Sequence, residues 1–223
     1  MLRKAIPIAA ISSLVAQAVL GHGDAAPQAV DTTGLPTLPP EMATQNPWRE
    51  ADGELMMTAV SIGGAGYNSN CARCHGLEAI SGGLAPDLRY LEADEWGDEW
   101  YLTRVLDGVE QNGAVKMPPF DNILSQEAIW AIRTYVETRP DDQEFVDRKS
   151  EIQEINARIE ALKSDPSQAS DVADALFDMG ASFEAASGAP KSVTALDEAG
   201  HLLKSDPPRV EAALDAMLGI LRN

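Results

Sequence analysis

Two cysteines and a histidine lie close together in the stretch YNSNCARCHG, residues 67–76. Cys71 and Cys74 are the only two cysteines of the chain, and His75 follows the second of them directly. A CxxC pair can form a redox-active disulfide, supply half of a zinc site, or anchor a haem. The choice depends on the compartment in which the protein works and on the other ligands that the chain offers.

The N-terminal residues have the pattern of a secretory signal. Arg3 and Lys4 precede an apolar run over residues 5–20, and small residues follow it. We therefore predict a signal peptide over residues 1–21, cleaved before His22, and a periplasmic protein. An uncleaved anchor is the alternative, although about 16 apolar residues fall short of the roughly 20 that span a bilayer.

The CxxC pair of an exported protein is best explained as a haem anchor. A structural zinc site usually needs four ligands, and the only other histidines are His22 and His201. A thioredoxin-like dithiol would need a βαβ unit, which the sequence does not predict. C-x-x-C-H is the attachment signature of haem c. Cys71 and Cys74 would form thioethers to one porphyrin, and His75 would become the proximal iron ligand.

A histidine-ligated iron needs a sixth ligand, or it stays open and reactive. Met117 lies in NGAVKMPPF, which predicts a loop stiffened by Pro118 and Pro119 between two helices. Such a loop can bring a thioether to the opposite haem face, and His/Met ligation raises the potential and suits electron transfer. Gly76, directly after the motif, is interpreted as leaving room for the macrocycle. Without Met117 as a ligand, a haem enzyme that reacts with peroxide or small ligands is the alternative.

The net charge limits the possible partners. The formal charge of the chain is −18, and it becomes −20 when Arg3 and Lys4 are removed with the signal. Nucleic acids and anionic lipids would be repelled, so neither is expected as a partner, and no stable membrane insertion is expected after cleavage. The acidic surface could steer the protein to a basic docking face or serve solubility alone.

The elements around these residues predict an all-α protein. Residues 22–52 contain five prolines and predict an extended arm on the surface. The haem domain is predicted over 53–140, with helices from near Asp52 to Cys71, over 98–108, and over 125–140, where Ser125 starts the last helix. Gly- and Pro-rich loops connect these helices.

The remaining residues, 141–223, predict an acidic helical extension. Its sequence repeats weakly, since ALKSDPSQASDVADAL at 161–176 resembles LLKSDPPRVEAALDAM at 202–217. In each copy a helix is predicted to end at Leu-Lys, and Asp and Pro to cap and start the next. The repeat therefore predicts two helical hairpins. The polar stretch RPDDQE at 139–144 predicts a junction between the haem domain and the extension that few contacts cross. A binding module tethered to the haem domain is a further possibility for this region.

Residues 53–139 resemble the class I c-type cytochromes. Gly63 and Tyr67 match the first helix of that family, where a glycine lets the last helix cross closely. Pro86 in GGLAPDL matches the proline whose carbonyl accepts a hydrogen bond from the haem-ligating histidine, and MPPF matches the methionine loop. Ile132, Tyr135 and Val136 resemble the contact face of the last helix.

A closer resemblance is to the periplasmic cytochromes that accept electrons from quinoprotein (PQQ) ethanol dehydrogenases. It covers about residues 22–139 and includes the stretches GYNSNCARCHGLEAISGGLAPDLR, NGAVKMP and SQEAIWAIR. The resemblance implies a carrier of single electrons rather than an enzyme, with no catalytic residue. It also implies a quinoprotein alcohol dehydrogenase as donor and a downstream cytochrome or terminal oxidase as acceptor. The extension departs from this group, whose chains end soon after the last helix.

Overall fold

A computed structural model describes residues 26–221, and the signal peptide predicted over residues 1–21 lies outside them. Helices dominate the described part, so the predicted all-α class is confirmed. None of the helices in that part is long and apolar enough to cross a membrane. The α-helices are α1 Gly53–Asn70, α2 Ala72–His75, α3 Glu95–Asp107, α4 Gln126–Glu137, α5 Asp142–Asp147, α6 Lys149–Ala161, α7 Ala169–Gly180, α8 Ala195–Lys204 and α9 Val210–Leu221.

The crossing of α1 and α4 forms the centre of the first hydrophobic core. A Cβ on Gly63 of α1 would stand 1.9 Å from the carbonyl oxygen of Ala131 on α4, so only glycine fits at this crossing. Tyr67 and Tyr135 bring their rings to 5.3 Å beside it. Every residue from 128 to 137 is buried, and α4 is therefore the central helix of this core. Ile132, Tyr135 and Val136, predicted to form the contact face of this helix, are all buried in the first core, so that prediction is confirmed.

Helix α4 begins where the sequence predicts. The side chain of Ser125 accepts a hydrogen bond from the amide of Ala128 and so caps the helix. Helix α3 begins earlier than predicted, at Glu95 rather than Asp98. The side chain of Asp94 accepts from the amide of Gly97 and provides the start signal, which the sequence reading overlooked.

A small antiparallel hairpin follows α3 and was not predicted. Strand β1, Val109–Gln111, pairs with strand β2, Ala114–Met117. The strands are three and four residues long, too short for an alternating pattern to stand out in the sequence. The turn between them uses Asn112 and Gly113, both with positive φ, as tight hairpin turns require.

The N-terminal arm is irregular as predicted, but it does not simply lie on the surface. Trp48 is 4% exposed and belongs to the first core. Arg49 donates to Asp98 of α3 at 2.7 Å and to Glu137 of α4 at 2.8 Å. Asn46 donates to the same Glu137 at 2.7 Å. The arm is held by buried polar groups that are distant in sequence, which explains why its composition alone suggested a surface segment.

The C-terminal extension has its own apolar core and is helical, as predicted. Helices α6 to α9 pack their apolar faces together, and this second core includes Ile155, Ile159, Leu176, Leu196 and Met217, each 3% exposed or less. The predicted hairpins correspond to α6 with α7 and to α8 with α9.

The two copies of the internal repeat differ in their second helix. In the first copy Asp165 caps a 3-10 turn over Pro166–Gln168 that leads into α7, as predicted. In the second copy the prediction is wrong, because α9 begins only at Val210. Pro207 is followed by Pro208, and a residue before proline is disfavoured in the helical conformation, so the helix cannot start there.

The junction near residue 140 is crossed by more contacts than the sequence predicts. The amides of Ala186 and Val193 donate to the carbonyls of Arg139 and Thr138, both at 3.0 Å. The hydroxyl of Ser187 donates to the carbonyl of Glu137 at 2.6 Å, and the Val193 side chain joins the first core. The connection between α7 and α8 therefore returns to the end of α4, a long-range contact with no local signal. The domain boundary at residue 140 stays a prediction.

Candidate metal centre

The cysteine motif lies where α1 ends and the short helix α2 begins. Cys71 is the residue between the two helices, and its amide donates to the carbonyl of Tyr67 at 2.7 Å. Both thiols are free; Cys71 is partly buried and Cys74 is exposed. Burial, together with the neighbouring Cys74, raises the pKa of Cys71 to about 12. The Cys71 thiol is therefore protonated at neutral pH, unlike the low-pKa thiol of a thioredoxin-type redox pair.

His75 is oriented by the chain itself. Its Nδ1 lies 2.9 Å from the carbonyl oxygen of Pro86. A carbonyl can only accept a hydrogen bond, so Nδ1 must carry a proton, and in the neutral ring the lone pair is then on Nε2. An imidazole held in this tautomer is ready to bind a metal through Nε2, and such outer hydrogen bonds are typical of metal-ligating histidines.

A buried arginine holds the loop that presents the Pro86 carbonyl. Arg89 is 4% exposed and donates to both carboxylate oxygens of Asp87, at 3.1 and 2.8 Å. Burial would raise the pKa of Asp87, but these bonds outweigh it and hold the pKa below its usual value. Arg89 also donates to Asp142 at 3.1 Å, at the start of the extension. The extension thus helps to fix the loop beside His75, a role that the sequence did not indicate.

Gly76 is required by the chain's own backbone, in addition to the role predicted for it from the sequence. Its φ is +86°, and a Cβ at this position would stand 1.8 Å from the carbonyl oxygen of Ile80. The hydroxyl of Tyr67 donates to the Gly76 carbonyl at 2.8 Å. The chain's own tight turn after the motif therefore requires glycine, whether or not a macrocycle lies nearby.

Met117 is the last residue of β2 rather than part of an open loop. It is partly buried, and its strand partner is Val109. Gly108, with φ +71°, allows this arrangement, because a Cβ there would stand 2.5 Å from the Met117 carbonyl oxygen. The amide of Phe120 donates to the carbonyl of Val105 at 2.8 Å and ties the end of the loop to α3. Gly108 was not among the predicted site residues, although a glycine at the end of a predicted helix commonly marks a sharp turn of the chain.

The first hydrophobic core is contacted from both parts of the candidate site. Cys71, from the motif, and Met117, from the hairpin, both pack at its edge. Two unbridged thiols, an imidazole in the Nδ1–H tautomer and a thioether fit the donor set that a covalently bound haem requires. Within residues 26–221, no group of three or more His, Cys, Asp and Glu side chains is arranged to hold a metal ion.

Comparisons with known proteins agree with this donor set. The family model for the cbb3-type cytochrome c oxidase subunit III matches residues 58–136. Cytochrome c550 of Pseudomonas aeruginosa is 49% identical over 138 residues, which are 62% of this chain and 93% of that protein. No solved structure shows a significant match.

Two dehydrogenases match over a shorter stretch. Quinohemoprotein alcohol dehydrogenase ADH IIB of Pseudomonas putida is 38% identical over 73 residues, which are 33% of this chain and 10% of that protein. ADH-IIG of the same species is 31% identical over 84 residues, or 38% of this chain and 11% of that protein. Their similarity is thus confined to about a tenth of each enzyme. With nearly the whole of cytochrome c550 matched at this identity, the chain belongs to the c-type cytochrome family.

Proposed function

We propose that this protein is a periplasmic electron carrier with one covalently attached haem c. The observation that carries the proposal is the pair of free thiols followed by a histidine whose Nδ1 is engaged by the Pro86 carbonyl at 2.9 Å. The similarity to cytochrome c550 supports the same activity. Haem c supplies a one-electron iron couple when bound. The remaining chemistry depends on how the chain's own residues hold and enclose it.

Each site residue has a distinct part in this proposal. Cys71 and Cys74 would form the two thioethers, so that the cofactor cannot dissociate. His75 would ligate the iron through Nε2, while the Pro86 carbonyl keeps Nδ1 protonated and the ring in place. Met117, at the end of the hairpin, would be the second protein ligand of the iron. With both ligands supplied by the protein, the haem would exchange electrons without binding substrate, and the protein would be a carrier rather than an enzyme.

The proposed donor is a PQQ-dependent alcohol dehydrogenase, and the proposed acceptor is a downstream cytochrome or terminal oxidase. The partial matches to two quinohemoprotein alcohol dehydrogenases support the donor, because a similar segment occurs within enzymes of that name. The formal charge of −18 supports docking to a basic surface. Electron uptake from a purified quinoprotein ethanol dehydrogenase should then slow as salt rises from low to physiological ionic strength.

Cofactor attachment tests the proposal without any partner. The double variant Cys71→Ala/Cys74→Ala, expressed with a haem c maturation system, should show no haem stain on a denaturing gel, whereas the wild type should stain strongly. Met42→Ala, at an exposed position of the arm, is the control and should stain fully. Full staining of the double variant would contradict covalent attachment through this motif.

A further inference from the structure

Two tryptophans are exposed side by side on α3. Trp96 is 79% exposed and Trp100 is 41% exposed, whereas Trp48 and Trp130 are 4% and 0% exposed. Positions four apart share one face of a helix, so the two indoles are neighbours. The guanidinium of Arg104 lies 5.3 Å from the Trp100 ring and extends the same face by a further turn. The stripe runs about 12 Å along the helix axis.

The helix that carries this stripe is held firmly from its other side. Asp98 is fully buried and pairs with Arg49 at 2.7 Å and with Arg133 at 2.9 Å. A Cβ on Gly97 would stand 1.9 Å from the carbonyl oxygen of Glu92, so the first turn packs closely against the chain before it. The indoles are therefore exposed on a helix that is tightly packed on its other side, and their exposure does not result from loose packing of α3. A rigid apolar surface loses little entropy when a partner covers it.

The composition of the stripe is that of an interaction centre with an acidic rim. Tryptophan and arginine are the residues most enriched where binding energy concentrates. The exposed carboxylates on α3 and just before it outnumber the single positive charge of Arg104. They are Glu92, Asp94, Glu95, Glu99 and Asp107. A partner that covers the indoles must therefore bring basic groups to the rim, which excludes anionic membranes and nucleic acids.

The buried side of the same helix packs on the first core. Leu102 and Leu106 lie against this core, at whose edge Cys71 and Met117 also lie. A partner on the outer face is thus separated from this region by about one helix diameter, roughly 10 Å.

We infer that the Trp96–Trp100–Arg104 face is the docking surface for the protein that exchanges electrons with this chain, and that the partner presents an apolar centre with a basic rim. This inference rests on the proposed function. The face differs from the Pro86 loop beside the cysteine motif, where Leu84, which is 77% exposed, offers a competing docking point. Charge complementarity selects a basic protein, and the rigidity of α3 gives it a preformed site.

The test compares variants of the haem-loaded full chain with a purified quinoprotein ethanol dehydrogenase as probe. Trp96→Ser/Trp100→Ser should weaken binding to the immobilised dehydrogenase about tenfold or more and slow electron uptake by a similar factor. Leu218→Ser, a 45% exposed apolar position on α9, should change neither quantity. Glu95→Gln/Glu99→Gln should reduce the salt dependence of binding. Melting temperature and reduction by ascorbate should stay unchanged in all variants.

Other outcomes would overturn the inference and remain separable from failure of the proposed function. Wild-type affinity in the tryptophan variant, together with lost affinity in Leu84→Ser, would place docking at the cysteine motif. Tryptophan-dependent sedimentation with phosphatidylcholine vesicles, without an effect on dehydrogenase binding, would assign the face to a membrane. A wild-type chain that ascorbate does not reduce would contradict the electron-carrier proposal itself, whatever the docking variants show.

Discussion

The two cores of this chain are both helical, yet they are stabilised differently. The first core, around α1 and α4, encloses buried ions: Asp98, Arg133 and Glu137 are each 0% exposed. The second core, formed by α6 to α9, consists of aliphatic and aromatic side chains with alanines. Burial raises the pKa of Glu137, although Arg49 and Arg133 act in the opposite direction. Polar interactions thus fix the geometry of the first core, whereas apolar packing suffices for the second.

This difference corresponds to what each region must hold. Cys71 and Met117 both pack against the first core, and the chain after Met117 is tied to α3 through the Phe120 amide. The second core holds no candidate ligand. The extension contacts the first region through a returning segment over 185–193 and through the bond from Arg89 to Asp142. The matched family model ends at residue 136, before the extension.

The largest expected effect is the loss of a buried carboxylate from the first core. Asp98→Ala removes the acceptor shared by Arg49, Arg133 and the Asn46 amide. Breaking a buried ion pair in this way costs about 3–5 kcal/mol in the free energy of unfolding. Denaturant unfolding followed by circular dichroism measures it. Glu99→Ala, an exposed carboxylate one position further along the same helix, should cost little; equal costs would show that the buried ions do not stabilise this core.

Close helix packing at the first core provides the next test. In Gly63→Ala the new methyl group would stand 1.9 Å from the Ala131 carbonyl oxygen, so α1 and α4 must separate. Overpacking of this kind costs about 1–3 kcal/mol in the free energy of unfolding, or more where backbone must move. Gly82→Ala is the matched control, because nothing lies within 4 Å of its Cβ position. A thermal melt that leaves both variants equally stable would refute the close crossing.

The coupling between the two regions is tested by a smaller change. Val193 lies in the extension but is 5% exposed in the first core. Val193→Ala removes two buried carbon atoms and should cost about 1–2 kcal/mol in the free energy of unfolding. Val146→Ala, at a 49% exposed position of α5, should be nearly neutral. If the two substitutions cost the same, the returning segment contributes nothing to the first core, and the extension is an independent unit.

The smallest expected effect concerns pH and the N-terminal arm. The carboxylate of Glu127 accepts a hydrogen bond from the Leu38 amide at 2.9 Å, and this bond holds its pKa below the usual 4.5. A depressed pKa adds stability above pH 4.5 that is lost as the pH falls through the folded-state pKa. In Glu127→Gln the melting temperature should therefore fall less steeply than in the wild type as the pH is lowered. In Glu41→Gln, in the exposed part of the arm, it should fall as steeply as in the wild type. The opposite pattern would contradict the role of this bond.

Sequence spacing predicts the candidate ligands but not the residues that support them. Cys71, Cys74 and His75 form one local motif, and Pro86 and Met117 each stand in a short proline-containing stretch that can be read directly. The hydrogen bond from Asn46 to Glu137 joins residues 91 positions apart, and no local sequence pattern predicts it. The contact between Arg89 and Asp142 spans 53 positions in the same way. Long-range polar pairing depends on the folded chain, which local patterns do not encode.

The role of Met117 tests the account most directly. A potentiometric titration of the wild type should show one reversible one-electron wave, and Met117→Ala should shift its midpoint to lower potential, because a thioether ligand favours reduced iron. Carbon monoxide should bind the reduced variant and leave the reduced wild type unchanged, with Met42→Ala behaving as the wild type. An unchanged midpoint in Met117→Ala, with carbon monoxide binding equally to both proteins, would contradict methionine ligation and favour a ligand-binding haem enzyme.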